Sequence, residues 1–376
     1  MTFNQQKYLQ ELETIVNIES PSRNAAGTKN VADFLAKKFA EINWQTEYID
    51  IGPEVGPCLK VYNRKAEKYD VLLMGHMDTV FPLGTTAERP FSKKDDMIYG
   101  PGVIDMKAGV MYMYYVAECL SGTELLENAN VCLLFNSDEE ISSIYSRKLI
   151  EETALDAACA IIVEPARPNG ALVNERKGIA KYDLEFKGIS SHAGVAPEKG
   201  ASAINELFYW GIELNKLNNP AMGTTLNIGV IQGGTVPNVV AEKALCKIDV
   251  RITNIKEAER IESRMKELQA KPQDHRVSVT IEGGVVRPPL NTTKESLALC
   301  DRVTAIGDKL GIDVKWVATG GGSDGNFTSA LGIPTIDGMG PIGGNTHAVT
   351  EYGEISSIVP RFNLLMETVK DLINNK

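Results

Sequence analysis

The sequence predicts an α/β protein: a mixed, mostly parallel sheet with helices on both faces, interrupted by an inserted α+β unit of ferredoxin-like order. Two observations carry this. In the first half apolar runs alternate with helical patterns, and from about residue 178 to 287 the order becomes β-α-β-β-α-β. The length of 376 residues agrees, being too great for one ordinary core.

Tyr8, Leu9, Leu12, Ile15 and Val16 recur at helical spacing and predict an amphipathic first helix. The runs DVLLMG (70–75), NVCLLFN (130–136) and AACAIIVE (157–164) are nearly continuous in apolar residues, as strands buried on both faces are. Helices are expected between them, at about 106–121 and 143–153. In the inserted unit AKYDLEFKGIS alternates as a strand, ASAINELFYWGIELNKL reads as a helix, and TTLNIGVIQGG and AEKALCKIDVRIT read as two strands. KEAERIESRMKELQA is a second helix and RVSVTIEGG a last strand. Beyond it come a helix (SLALCDRVTAIGDKL), a strand (GIPTIDGM) and a closing helix (ISSIVPRFNLLMETVKDLI). The simplest topology is one domain built from residues 1–177 and 288–376, with 178–287 inserted.

Hydrophobic residues make up 43% and charged residues 23%, the composition of a globular protein. A net charge of −10 without a Lys/Arg block argues against a nucleic-acid partner. No run is long and apolar enough to span a bilayer, and the N-terminus lacks a basic stretch leading into an apolar one, so neither a membrane nor secretion is expected. The six scattered cysteines, without a CxxC, suit buried free thiols in a reducing cytoplasm.

Ligands of open α/β sheets gather at the carboxyl ends of the strands. Here DVLLMG runs into His76-Met77-Asp78, NVCLLFN into Ser137-Asp138-Glu139-Glu140, and AACAIIV into Glu164-Pro165. GPGVIDMKAGV (100–110) adds Asp105 at the mouth of a helix, and GNTHAVTEYG (344–353) adds His347. Each has a plain reading alone: a capped strand-end histidine, a helix N-cap, an acidic helix start, a solvated loop histidine. Together, two histidines and three acids satisfy the count for two metal ions, each taking about four ligands with one position open for water. A shared carboxylate would hold such ions roughly 3.5–4 Å apart.

GHMDTV, GPGVIDMKAG, SDEE, the EP dipeptide and the final TH, in this order along essentially the whole chain, resemble the di-zinc aminoacylase and carboxypeptidase family. Its members include glutamate carboxypeptidase, acetylornithine deacetylase, succinyl-diaminopimelate desuccinylase and peptidase T. The resemblance implies that His76 and Glu164 hold one zinc, that His347 and Glu140 hold the other, and that Asp105 bridges them. It implies a cis peptide after Asp105, Asp78 behind His76 as the group that orients it, and Glu139 as general base. Histidine and carboxylate ligands without sulfur also accept cobalt or manganese, so zinc rests on the resemblance.

The segment SSHAGVAPEKGASAI (190–204) is similar to the family's dimerisation loop. The resemblance implies that His192 reaches a partner subunit's site and stabilises the oxyanion, in a homodimer formed through the inserted domain. In the same way Arg251 of KIDVRITN and Asn238 of TVPNVV would hold the substrate's free carboxylate, an ordinary surface ion pair being the plain alternative for Arg251. Apart from the resemblance, ERKG (175–178) at the domain junction offers Lys177 as a further contact, a solvated hinge lysine being its plain alternative. The expected function is hydrolysis of an amide bond next to a free carboxylate, in a small peptide or an N-acyl amino acid, nearest to the glutamate carboxypeptidase branch. Deacylase and tripeptidase activities of the acetylornithine, succinyl-diaminopimelate and peptidase T types are the alternatives. A nucleotide-binding reading of TGGGSDG (319–325) fails on its lack of a GK[ST] ending and of GxGxxG, and leaves the five clustered ligands unexplained. A silent relative would have lost the base or a ligand, and no expected position is missing.

Overall fold

A computed structural model describes residues 2–375. Met1 and Lys376, the outermost residues of the expected domain, lie outside the described residues. By contacts the chain divides into two compact units: Met1–Glu175, Leu290–Thr319 and Ser323–Lys376 form one, and Arg176–Pro289 with Gly320–Gly322 the other.

The first unit is built on a six-stranded sheet in the order Gln45–Ile49, Cys58–Tyr62, Val131–Asn136, Val71–His76, Ala160–Ile162, Thr335–Ile336. The first two strands run antiparallel, and the other four make a parallel ladder. Val71–His76 and Val131–Asn136 are buried at every position. Alternate side chains point to opposite layers: Leu73, Leu133 and Ile161 into one apolar cluster, Leu72, Leu134 and Ile162 into the other. The first layer includes the helix Gln5–Val16, which buries the five residues its spacing singled out, and Ala108–Leu120, which is buried all round.

The expected helix at 106–121 begins at Ala108 because the residues before it belong to a loop. The one expected at 143–153 is Arg147–Leu155. Ser142 and Ser143 adopt positive φ of 77° and 51°, which closes the Glu139–Ile141 turn before a new helix starts. A further sheet of Gly343–Gly344, Tyr352–Glu354, Met97–Tyr99 and Ser92–Lys94 has strands too short to read from alternation.

The second unit has the element order β-α-β-β-α-β and an antiparallel sheet ordered Thr225–Gly233, Lys243–Ile252, Gly178–Lys187, Ser278–Arg287. Tyr182, Leu184 and Phe186 pack with Trp210 of the helix Ala203–Asn215 and with Ile261 and Met265 of the helix Ile255–Ala270. Lys181, Asp183, Glu185 and Lys187 alternate onto the opposite face. Among the described residues no helix is long and apolar enough to cross a membrane, and all six cysteines are free and buried.

Candidate metal centre

Parallel pairing in register, Val71 with Val131 through His76 with Asn136 and Met74 with Ile162, brings three strand ends together at the carboxyl end of the sheet. His76 ends its strand, Glu139 and Glu140 follow the next in a tight turn, and Glu164 lies just beyond the third. Asp105 comes from the loop ahead of Ala108–Leu120, where its peptide to Met106 is cis. His347, at φ +65°, comes from the loop joining Gly343–Gly344 to Tyr352–Glu354.

Asp105 stands at the middle. Its Oδ1 is 3.2 Å from His76 Nε2, and its Oδ2 is 3.3 Å from His347 Nε2. Glu164 Oε1 lies 3.7 Å from His76 Nε2, and Glu140 Oε2 lies 3.2 Å from His347 Nε2. Two groups of three donors result, His76 with Asp105 and Glu164, and His347 with Asp105 and Glu140, each with ligand atoms within 4.8 Å of one another.

Burial opposes a charged His76, yet Asp105, Asp78 and Glu164 outweigh it and hold the ring's pKa well above its ordinary value. Hydrogen bonds to Asp105 and Glu140 raise His347 to about 10. Burial pushes the Glu140 and Glu164 carboxyls up, and the Asp105 charge adds to this; Glu139 is a further repulsive neighbour of Glu164. Burial acts on Asp105 in the same direction, but the two imidazoles overcome it and pull its carboxyl below the ordinary range. The pocket thus sets three carboxyls around two imidazoles, with burial and mutual repulsion disfavouring the charge on two of the carboxyls, and the buried Glu140 Oε1 has no hydrogen-bond partner. A nitrogen and oxygen donor set with surplus carboxylate fits divalent cations.

Behind this cluster lies a second layer of support. Asp78 is fully buried and its carboxylate accepts from Ser22 Oγ at 2.6 Å and from the amides of Glu139 and Glu140 at 3.1 Å each. Its Oδ1 is 3.3 Å from His76 Nδ1, whereas its own carbonyl is nearer, at 2.9 Å. Asp324, from the Gly-rich stretch, turns inward to Ser143 Oγ at 2.5 Å and to the Asn136 amide. Arg361 donates to the carbonyls of Gly338, Gly340 and Gly170, and Gly340 N in turn donates to Glu164 O at 2.9 Å. Glu351, with no exposed surface, accepts from the amides of Gly102, Ile104 and Asp105; burial raises its carboxyl to about 7 against the pull of those amides. Sequence reasoning overlooked Ser22, Asp324, Glu351 and Arg361. Asp324 sits in the Gly-rich TGGGSDG and Glu351 in the His347 segment, both already singled out for other residues or readings, and Arg361 in the expected closing helix.

The other four expected residues belong to the second unit. The exposed His192 loop pairs with the Asn238 loop, His192 opposite Val239 and Ala193 N on Asn238 O at 2.9 Å, so these two residues are neighbours. His192 Nδ1 accepts from Gly194 N at 3.1 Å, which in the neutral ring leaves the proton on Nε2. Arg251 forms a fork with Asp249, at 2.8 and 3.2 Å, and its Nη1 is 3.4 Å from Gly320 O. Lys177 Nζ donates to Gly223 O at 2.5 Å.

Residues 72–371 match the model of peptidase family M20/M25/M40. The chain belongs to this family. It is 30% identical to carboxypeptidase G2 of Pseudomonas sp. (strain RS-16), over 99% of this chain and 90% of that one. It is 26% identical to succinyl-diaminopimelate desuccinylase of Polynucleobacter necessarius, over 91% and 93% of the two chains. A tripeptidase structure from Staphylococcus aureus shares the fold, with a TM-score of 0.84 at 22% identity over 100% of both chains. As a member of the M20/M25/M40 family the protein is a metal-dependent hydrolase of the metallopeptidase and amidohydrolase class.

Proposed function

We propose that this protein is a zinc-dependent exopeptidase of the carboxypeptidase G2 kind, which hydrolyses the amide bond next to a free carboxylate in a small peptide or N-acyl amino acid. The observation that carries the reading is the division of Asp105, one oxygen towards His76 and the other towards His347, as a bridging ligand requires. His76 and Glu164 would hold one zinc ion, and His347 and Glu140 the other. When bound, the pair lowers the pKa of water and polarises the amide carbonyl. Glu139 takes the attacking water's proton and delivers it to the leaving nitrogen. Asp78 supports this by accepting the amides of Glu139 and Glu140, which fixes their turn relative to His76.

His192 presents an Nε2–H donor for the oxyanion of a partner subunit's substrate. Arg251 and Asn238, with Lys177 as a further contact, hold the substrate carboxylate. The fork to Asp249 orients Arg251 while leaving N–H groups on both Nη atoms. The chain acts as a homodimer in the cytoplasm; six buried free thiols support the compartment. The uncharged edge strand Thr225–Gly233 supports the association, because unguarded edges are templates for pairing.

The test is a hydrolysis panel of C-terminal dipeptides, tripeptides and N-acyl amino acids, each beside its carboxamide. Free acids are expected to be cleaved and carboxamides spared. Glu139→Gln is expected to retain its metal and lose about 10²–10⁴-fold in kcat. A zinc-loaded enzyme that cleaves acids and carboxamides equally, or a Glu139→Gln variant with full activity, would refute the reading.

A further inference from the structure

We propose that Glu351 is a positioning residue for the metal centre: it aims both oxygens of Asp105, so the affinity for both ions depends on a carboxylate that touches neither. This rests on the metal-centre reading above and goes one layer behind it.

Glu351 has no exposed surface. Its Oε1 accepts from Ile104 N at 2.8 Å and Asp105 N at 3.0 Å, and its Oε2 from Gly102 N at 3.0 Å. A carboxylate is acceptor-only, and three convergent amides suit it in a way no neutral side chain of that length reproduces. One of the three amides belongs to Asp105 itself. The loop has little room to relax otherwise, since Gly102 is held at φ +71°, where an added Cβ would lie 2.4 Å from Thr79 Cγ2. The clamp therefore acts on the backbone that aims Asp105 between the two histidines.

The same segment delivers His347. It is the loop 345–351, turned by hydrogen bonds from Ala348 N to Asn345 O and from Glu351 N to Ala348 O. The strand that follows pairs Tyr352 with Tyr99, directly ahead of the Asp105 loop. One short connection thus carries one ligand and the clamp on the ligand that both ions would share. A loss at Glu351 should differ from a loss at His347, which serves one ion only.

Cobalt titration of the full-length protein, followed by visible absorption and by bound-metal analysis, separates the cases. The parent protein is expected to take up two Co²⁺ per chain. His347→Ala should lose one ion and keep the other. Glu351→Gln, which sets an NH2 group against backbone N–H, should weaken both ions by about 10–100-fold and alter the spectrum of both. A merely structural staple would lower the thermal midpoint of the metal-free protein and leave cobalt affinity and spectrum unchanged, and that result would overturn the proposal. If Glu351→Gln does not fold, Glu351→Asp keeps the charge on a shorter stem and should weaken both ions in the same way; parent-like affinity there would overturn it equally. A parent protein that binds no cobalt would instead remove the metal-centre reading beneath it.

Discussion

Asp78 shows how a single buried side chain can decide the geometry of a whole site. Its carboxylate joins Ser22, the Glu139–Glu140 turn and the His76 ring, so an amide in its place would direct a donor at groups that are themselves donors. Asp78→Asn is expected to cost about 1–3 kcal/mol in stability, from a buried N–H left unpaired, and to weaken metal binding by about 10–100-fold. Urea unfolding and cobalt titration measure the two effects; an unchanged cobalt affinity would reduce Asp78 to a structural support. The residues gathered at the centre were legible because strand ends concentrate polar groups in an otherwise apolar pattern, and His76, Glu140 and Glu164 follow directly on such runs. Their supports were not. Ser22 and Arg361 meet backbone or carboxylate partners far away in the chain, and nothing in their immediate neighbours announces it.

At the level of elements, the approach of the helix Ala108–Leu120 to the sheet is set by one missing side chain. A Cβ on Gly109 would lie 2.0 Å from Val163 O, so helix and strand end meet at a distance only glycine permits. Alanine in a helix is ordinarily more stable than glycine by about 0.5–1 kcal/mol. Here the sign reverses: Gly109→Ala is expected to destabilise by about 1–3 kcal/mol through overpacking, and to displace Glu164, the next residue after Val163. Chemical unfolding tests it, and a variant as stable as the parent would show that the interface yields at no cost. The long buried strands and both amphipathic and fully buried helices were readable, since their apolar patterns extend over several turns or along a whole strand. The antiparallel strands Gln45–Ile49 and Cys58–Tyr62 went unread, as did the small sheet that carries His347, because two to five residues hold too few alternations to signal a strand.

Across the whole molecule, the candidate metal cluster and the proposed substrate-gripping residues make different demands on assembly. All five candidate ligands, with Asp78 and Glu139, come from one unit of one chain, so the candidate cluster draws on no residue of a partner. His192, if it serves a neighbouring subunit, acts only in a dimer. The second unit has a surface suited to that. Its edge strand Thr225–Gly233 carries no charge and exposes Val230 and Ile231, and the adjacent helix Ala203–Asn215 exposes Phe208 and Ile212, at 60% and 63%. Pairing of this edge with its copy about a two-fold axis would continue the sheet and cover those side chains. The double variant Val230→Lys, Ile231→Lys places charges on that edge, and sedimentation should then report a monomer where the parent sediments as a dimer. The monomer is expected to keep its bound metal and its fold while kcat falls by about 10²–10³-fold, the usual cost of losing one oxyanion donor. A monomeric variant with full activity would show that His192 does not cross to a partner, and a parent protein that sediments as a monomer would discard the dimer altogether.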